Sequence, residues 1–594
     1  MVFNLNKSVI ILMKPDHKTK LFAGLIISVA IFLAITSSWN DSLVVDEIPH
    51  IGAGYSYLVK QDMRLNPEHP PLAKDLAAIP LLFLKLKQGV FDTKSWQSDL
   101  NGQWEFGRKL IFNSGNDANQ ITHLVKLPML LFFVLSAILI FRWAKKLYGN
   151  KAGLIALILF SFSPTVLAHS RFVTTDLPAL FGILYATYFF FRYLKNQTAK
   201  NFWLASIFLG IALLTKFSTF MLIPFFFGLT LIYTLVFKKD YLKLPARSML
   251  LAVTAFIIVV MPAYAFHTWS YPPERQYSDT SKILETFGNR LLADPIVWAS
   301  DKPVLRVAAQ YGLGLLMVTQ RSVGGNTTYF LGEVSRFGWR HYFPIVYLIK
   351  EPLAWWALVV TALATAAVSI KSFQPRVYKI RSYLQENFIE LAMILWLVFY
   401  WALSINSTLN IGVRHLLPTY PFAILLVSGQ IAKINYKKFK IYGFLLTVLL
   451  GWYVFENLSV SPYYLTYFNQ AVGGPSGGYR YVVDSNLDWG QDLKRFSNWV
   501  KENDIPKIEF DYFGWADPSY YLGERYAWTS STKYKDAEDF KLSNQSDGWL
   551  AVSVSFLQGS QGLPDQYKSN NYLWLQNHTP VTTIGNSIFV YRIK

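Results

Sequence analysis

Six ionisable side chains, Asp46, Glu47, His50, Glu68, His69 and Lys74, stand in one short stretch directly after the first apolar run. Carboxylates are expensive near a membrane, so an adjacent pair at the exit of a span points to a site that uses them. A carboxylate of Asp46-Glu47 has the chemistry to take a proton from an acceptor hydroxyl or to bind a metal. A solvated loop start after a helix explains the pair, taken alone, about as well. Farther on, Asn66-Pro67-Glu68-His69-Pro70-Pro71-Leu72-Ala73-Lys74 joins an acid, an imidazole and an amine to a proline pair. The prolines stiffen the backbone and can start a helix. Leu72, Leu76, Ile79 and Leu82 would seat that helix at the membrane interface and hold Glu68 and His69 beside Asp46. A plain turn before an interfacial helix is compatible with that reading. Glu68 and His69 offer a divalent cation two ligands without a clear third, so no metal is assigned.

The run Ser170-Arg171-Phe172-Val173-Thr174-Thr175-Asp176-Leu177-Pro178 places Arg171 and Asp176 at another boundary between apolar runs. The planar fork of an arginine matches phosphate oxygens. A structural Arg–Asp pair is the alternative. Lys216, in Leu214-Thr215-Lys216-Phe217, and Arg414, in Arg414-His415, add cations at similar places. So do Arg340-His341 and, inside an apolar run, Lys350-Glu351. Snorkelling explains any one of them, whereas several on one face suit an anionic lipid headgroup.

The elements that must hold these residues are membrane helices. Of the 594 residues, 52% are hydrophobic and only 16% charged, against about 25% charged in soluble domains. Eleven candidate spans follow, at about 21–39, 122–141, 152–169, 177–192, 202–215, 218–237, 248–266, 343–370, 388–404, 412–432 and 441–458. The first is too long for a signal-peptide core and reads as a retained helix. Lys7, Lys14, Lys18 and Lys20 precede it. Further clusters follow the even-numbered spans: Arg142, Lys145, Lys146 and Lys151; Arg192, Lys195 and Lys200; Lys238, Lys239, Lys243 and Arg247. The same holds for Lys371, Arg376, Lys379 and Arg381, and for Lys433, Lys437, Lys438 and Lys440. With eleven spans all of these fall on one side, which the positive-inside rule makes cytoplasmic. The net charge of +19 is thus mainly a topology signal and does not call for nucleic acid. The chain has no cysteine, which excludes disulfides and thiolate metal sites.

The opposite, external side carries loops 40–121 and 267–342 and everything after about Ser461. The fold expected is an all-α polytopic membrane domain over 1–460 with a small external C-terminal α/β domain over 471–594. Gly473-Gly474-Pro475-Ser476-Gly477-Gly478 reads as the linker between them. Beyond it, 489–501 has helical periodicity, and 508–512, 549–556 and 587–592 read as strands. Asp484, Asp488 and Asp492 read as a cluster at a helix N-terminus. Trp489, Trp515, Tyr520, Tyr521 and Trp528 suit sugar stacking or, more simply, core packing.

Asp46-Glu47, then His69-Pro70-Pro71-Leu72-Ala73-Lys74, then Ser170-Arg171-Phe172 with Asp176, occur in that order. The combination resembles the protein O-mannosyltransferases and their bacterial relatives, including the aminoarabinose transferases of lipid A. These are integral-membrane glycosyltransferases of the GT-C fold, in the family 39 group. The resemblance implies Asp46 as catalytic base, Glu47 and Asp176 as supporting acids, and Arg171 as a contact to the donor phosphate. It also places Glu68, His69, Lys74 and, less directly, Lys216 at the substrate, and Arg414 is a further candidate there. Two departures put the acceptor in doubt. Loop 267–342 is too short for the β-trefoil domain of the mannosyltransferases, and a different domain follows the last span. The implied reaction is transfer from a polyprenyl-phosphate sugar to a hydroxyl of a lipid, protein or glycan at the external face of a membrane, with inversion. A bacterial inner membrane fits the basic loops. The rival readings are a transporter of lipid-linked sugars and a non-catalytic envelope assembly protein. Transporters place charge near the midplane and often show internal repeats; here the acids lie at the boundary and no repeat is visible.

Overall fold

The computed structural model describes residues 17–371, 380–434, 440–544, 548–561 and 571–593. Lys7, Lys14, Arg376, Lys379, Lys437 and Lys438 of the basic clusters lie outside the described residues. Each of the eleven apolar runs coincides with helix. Eight are helices long and apolar enough to cross a membrane: His17–Ser38, Ala118–Tyr148, Asp176–Lys195, Phe217–Phe237, Lys243–His267, Phe388–Ile405, Val413–Ala432 and Lys440–Ser459. The run at 202–215 forms the shorter apolar helix Ala199–Leu213, where the Thr198 hydroxyl accepts from the Asn201 amide at 3.3 Å.

The remaining two runs are bent pairs. Asn150–Ser161 and Pro164–Ser170 meet at 62°. Pro164 supplies no N–H for the preceding turn, and Ser163 caps the new helix by accepting from the Val166 amide at 3.3 Å. Tyr342–Lys350 and the helix from Leu353 meet at 107° across Glu351-Pro352. The break exposes polar groups that must be satisfied internally. Glu351 accepts from the Tyr420 hydroxyl at 2.6 Å and the Thr165 hydroxyl at 3.1 Å. Lys350 donates to the carbonyls of Leu465 and Asn486 at 2.8 and 2.7 Å.

Asp176, Lys216 and Arg414 stand at the start of the helices beginning at Asp176, Phe217 and Val413, and they converge, as described below. Those helices end at Lys195, Phe237 and Ala432, with Lys238 and Lys433 next in the chain, so the basic residues gather at the other end of the bundle. Arg381, donating to the Val236 carbonyl at 2.8 Å, joins them.

At the Asp46 end the loops are compact. The helix Glu47–Lys60 packs against Leu72–Ala78 and Gln103–Arg108. Beyond Leu72–Ala78 the chain tightens into a 3₁₀ turn, and Ile79, Leu82 and Phe83 are left exposed, as an interfacial segment requires. Loop 267–342 forms the helices Pro273–Ile283, Arg290–Ala299 and Leu305–Gly324, and a hairpin of strands β1 (Thr328–Phe330) and β2 (Glu333–Ser335). Gly314 is where the third helix meets the His-Pro-Pro loop. A Cβ there would overlap the Pro67 carbonyl and the Phe217 ring, so no larger residue allows this approach.

The C-terminal region is a small α/β unit, as expected. Its five strands are β3 (Ile508–Asp511), β4 (Tyr526–Trp528), β5 (Gly548–Ser553), β6 (Thr582–Ile584) and β7 (Ile588–Ile593), in spatial order β4-β3-β5-β7-β6. β3 is parallel to β4 and β5, and the β5–β7–β6 part is antiparallel. The helix Leu493–Glu502 buries Leu493, Phe496 and Val500, with Phe496 at 4.5 Å from the Phe510 ring. Two sequence expectations shift. The strand expected at 549–556 ends at Ser553 and turns into the helix Val554–Gln561, and the helix expected from Trp489 starts only at Leu493. Asp484, Asp488 and Asp492 therefore do not form a helix N-terminal cluster. Asp488 accepts from the Ser555 amide at 3.0 Å, and Asp492 binds Arg495 at 2.6 Å.

Candidate active site

The Asp46 end of the bundle holds a cavity of about 690 Å³. Asp46, Glu68, His69, Lys216, Arg321, Arg414 and His415 line its polar side. Phe220, Met221, Leu315, Val318 and Leu403 line an apolar side. The cavity thus joins a charged chamber to a greasy wall.

At its centre Arg414 bridges two acids. Its guanidinium lies 2.7 Å from Asp46 and 3.2 Å from Asp176. Asp176, itself buried, also takes Lys216 at 2.6 Å. Three apolar helices thereby fix their first turns to one another, and Asp46 is tied to them through Arg414. Asp46 keeps a quarter of its side chain exposed, 25% against 1% for Asp176, so it alone of the two offers an oxygen to the cavity. Burial opposes ionisation of Asp46, but Arg414, with a smaller contribution from His50, outweighs it and holds the carboxyl below the usual range. Asp46 is ionised at neutral pH and able to accept a proton.

Lys74 builds the loop that presents Glu68 and His69. Its buried ammonium donates to the carbonyls of Asn66 and His69 at 2.9 and 2.7 Å, and to the Asn66 side-chain oxygen and the Tyr57 hydroxyl at 3.0 Å. Burial pulls its pKa down to about 7, against the pull of Asp75 and Glu68. Glu68 accepts from the amides of Gln103 at 2.7 Å and Asn101 at 3.1 Å. His69 stands edge-on to His50 at 5.0 Å, and burial with the nearby His50, Lys74 and Lys216 keeps it neutral, far below the ordinary histidine range. Among the described residues no three His, Asp or Glu side chains are arranged to hold a metal. Each Glu68 oxygen takes one amide donor, and no third ligand stands beside Glu68 and His69 among the described residues.

Four of the residues picked from the sequence, Asp176 among them, stand off the cavity wall. Lys74 is another. Glu47 is fully buried and accepts from the backbone amides of Val44 at 2.8 Å and Val173 at 2.9 Å, with Lys126 at 3.7 Å. It fastens the Asp46 turn to the Arg171–Asp176 turn. Arg171 is also buried; it pairs with Asp41 at 3.0 Å and bonds the Ser37 hydroxyl. It does not line the cavity; its guanidinium faces Asp41 and Ser37, and its Nε has no hydrogen-bond partner among the described residues. Sequence reasoning missed Arg321. It projects from Leu305–Gly324, lines the cavity, is exposed, and has no ion-pair or hydrogen-bond partner for its side chain among the described residues. Trp489, expected as a sugar platform or as core, is buried with its ring 4.2 Å from the Arg414 guanidinium.

Residues 119–266, which carry Arg171, Asp176 and Lys216, match the sequence profile of the family described as dolichyl-phosphate-mannose-protein mannosyltransferase. Over that segment the chain is similar to membrane glycosyltransferases of the GT-C type. Of the three motifs, Ser170-Arg171-Phe172 with Asp176 falls inside the matched segment. No curated protein matches the chain. Among solved structures, ArnT from Cupriavidus metallidurans bound to undecaprenyl phosphate is similar at 12% identity. The match covers 97% of this chain and 98% of that one, with a TM-score of 0.47. The Saccharomyces cerevisiae protein O-mannosyltransferase Pmt1–Pmt2 complex bound to the sugar donor is similar at 22% identity, over 43% of this chain and 34% of that one, with a TM-score of 0.32. The apo oligosaccharyltransferase of Archaeoglobus fulgidus is similar at 11% identity, over 95% and 73%, with a TM-score of 0.45.

Proposed function

We propose that this protein transfers a sugar from a polyprenyl-phosphate donor to an acceptor hydroxyl at the external membrane face, with inversion at the anomeric carbon. The observation that carries the reading is the cavity itself. An ionised, partly exposed Asp46 and the unpaired Arg321 share one chamber with an apolar wall. That combination suits a lipid-borne phosphate and a hydroxyl to be deprotonated. The basic residues at the opposite end of the bundle support the external placement, and a bacterial inner membrane is the setting they suit best.

In this mechanism the prenyl chain lies along Phe220, Val318 and Leu403, and the phosphate sits at Arg321 and Lys216. Asp46 takes the proton of the acceptor hydroxyl as its oxygen bonds to the anomeric carbon. The bond from that carbon to the phosphate oxygen breaks, and its electron pair leaves on the polyprenyl phosphate. Phosphate needs no proton to leave, so one carboxylate suffices, unlike the paired acids of glycosidases. Arg321 and Lys216 stabilise the departing charge, the kind of term that dominates such reactions. Arg414 orients Asp46, and Asp176 orients Arg414 and Lys216. Glu68 and His69, on their braced loop, contact the sugar.

The transporter reading finds its best support in the 107° break at Lys350-Glu351. Both charges there are consumed by protein partners, which favours the enzyme. The test is the mass spectrum of lipid and protein glycans from a deletion strain complemented with the wild-type chain or with Asp46→Asn. Wild type restores a missing glycan, and Asp46→Asn restores less than about 1% of it, since loss of a general base costs about 10²–10⁴-fold. Full restoration by Asp46→Asn rules out Asp46 as base.

A further inference from the structure

The C-terminal domain touches the centre of the cavity machinery, and the contacts are specific. The residues just before Asp46 pair with it: the Ser42 amide donates to Gln491 O at 2.9 Å and the Val45 amide to Trp489 O at 3.0 Å. The Ser42 hydroxyl donates to Gly490 O at 2.9 Å and accepts from the Leu493 amide at 3.0 Å. The residues just before Arg414 pair with the same segment. The Val413 amide donates to the Asn486 side chain at 2.9 Å, and the Ser485 hydroxyl donates to Ile411 O. A Cβ on Gly412 would overlap the Ser485 hydroxyl, so a glycine there leaves room for that contact. Between these clamps lies Trp489, only 1% exposed, with one face 4.2 Å from the Arg414 guanidinium. Phe172 and His169 pack against its ring at 5.8 and 6.0 Å.

We infer that residues 484–492 back the active site from behind the cavity lining and that Trp489 is the positioning residue that fixes Arg414 against Asp46. The inference rests on the reading of Asp46 as the base. A guanidinium is planar, and an aromatic face laid over it restricts the direction in which its N–H groups point. One short segment holds the backbone in front of Asp46, the backbone in front of Arg414, and the plane of the guanidinium between them. The Ser170-Arg171-Phe172 turn is the socket for that segment. Phe172 supports the indole. Arg171 pairs with Asp41, and Asp41 pairs in turn with Arg495 of the C-terminal domain at 2.6 Å. A domain that only recruited the acceptor would have no need to reach the base and its partner.

The chain lacks cysteine but carries a native probe, Arg414 itself. The full-length protein in detergent is treated with phenylglyoxal, an arginine reagent, and modification is followed by mass spectrometry at Arg414, with exposed Arg321 as internal reference. Trp489→Leu keeps a smaller apolar side chain and removes the aromatic face; Trp489→Phe keeps a face. The expected result is Arg414 modified about ten times faster in Trp489→Leu and near the wild-type rate in Trp489→Phe, with Arg321 unchanged. In the complementation assay Trp489→Leu restores about 1–10% of the glycan, as a small misplacement of catalytic groups costs up to about 10²-fold, while Trp489→Phe restores most of it. Equal Arg414 reactivity in folded wild type and Trp489→Leu overturns the inference. If Trp489→Leu does not fold, Arg495→Gln, which loosens the same segment from beyond the cavity, must raise Arg414 reactivity; no change there overturns it as well. If instead Asp46→Asn complements fully while the reactivity changes appear, the proposed base is wrong and the placement of Arg414 by Trp489 stands.

Discussion

Two residues carry the sharpest tests of the site. Removing the guanidinium in Arg414→Gln leaves Asp46 with the burial that raises its pKa and without the charge that lowers it. The acid limb of the transfer rate, set by protonation of Asp46, therefore moves to higher pH. The pH–rate profile in membrane vesicles checks this, and an unmoved limb would detach the titration from Asp46. Arg321→Gln removes the cavity's unpartnered cation. It should weaken binding of undecaprenyl phosphate, measured by native mass spectrometry, by about 10- to 150-fold, because a charge-assisted hydrogen bond contributes about 1.5–3 kcal/mol. Arg171→Gln should leave that binding unchanged. The contrast also shows what the sequence could reveal. Asp46, Asp176, Lys216 and Arg414 were legible because charge at the mouth of an apolar run has few uses. Arg321 was not, because it lies late in a helix of mixed polarity, where nothing local tells a cavity cation from a solvated one.

At the scale of elements, the His-Pro-Pro loop is held from inside by a buried amine. Lys74→Met removes the donor that satisfies the Asn66 and His69 carbonyls. Each orphaned acceptor costs about 1–3 kcal/mol, so the variant should melt lower and exchange amide hydrogens faster over residues 61–71. The amine also makes that stability pH-dependent. Its pKa is about 7 when folded and 10.5 ordinarily, so between those values the unfolded chain binds more protons and stability rises with pH. The melting temperature of the wild type should therefore climb between pH 7 and 9 more steeply than that of Lys74→Met. Hydropathy located this loop and every apolar helix, because a bilayer imposes one length and one composition. It did not reveal the sharp bends at Phe162-Ser163 and Glu351-Pro352. There proline breaks the helix while the side chains remain apolar enough to continue the run.

Over the whole molecule, the part least legible in the sequence is how the C-terminal domain meets the membrane domain. Composition marked a boundary near the glycine-rich run, and alternation located three of its strands. The interface depends on charges far apart in the chain: Asp41, Arg171, Asp492 and Arg495. No local spacing records such a pairing. Asp41 is buried, and Arg171 and Arg495 hold its carboxyl below the usual range despite that burial. Taking away one partner of a buried pair costs up to about 3–5 kcal/mol, and less here because Asp41 keeps Arg495 at 2.6 Å. Arg171→Gln should accordingly loosen the seat of the C-terminal domain, read as faster hydrogen exchange over residues 485–495 while the sheet core at 508–511 and 548–553 stays protected. Asp41→Asn combined with Arg171→Gln also removes the partner of Arg495 across the interface, and it should loosen the same segment further. If the double variant is as loose as the single one, the network does not join the two domains. The Arg171 of the third motif would then have to act where the family resemblance puts it, at the donor phosphate.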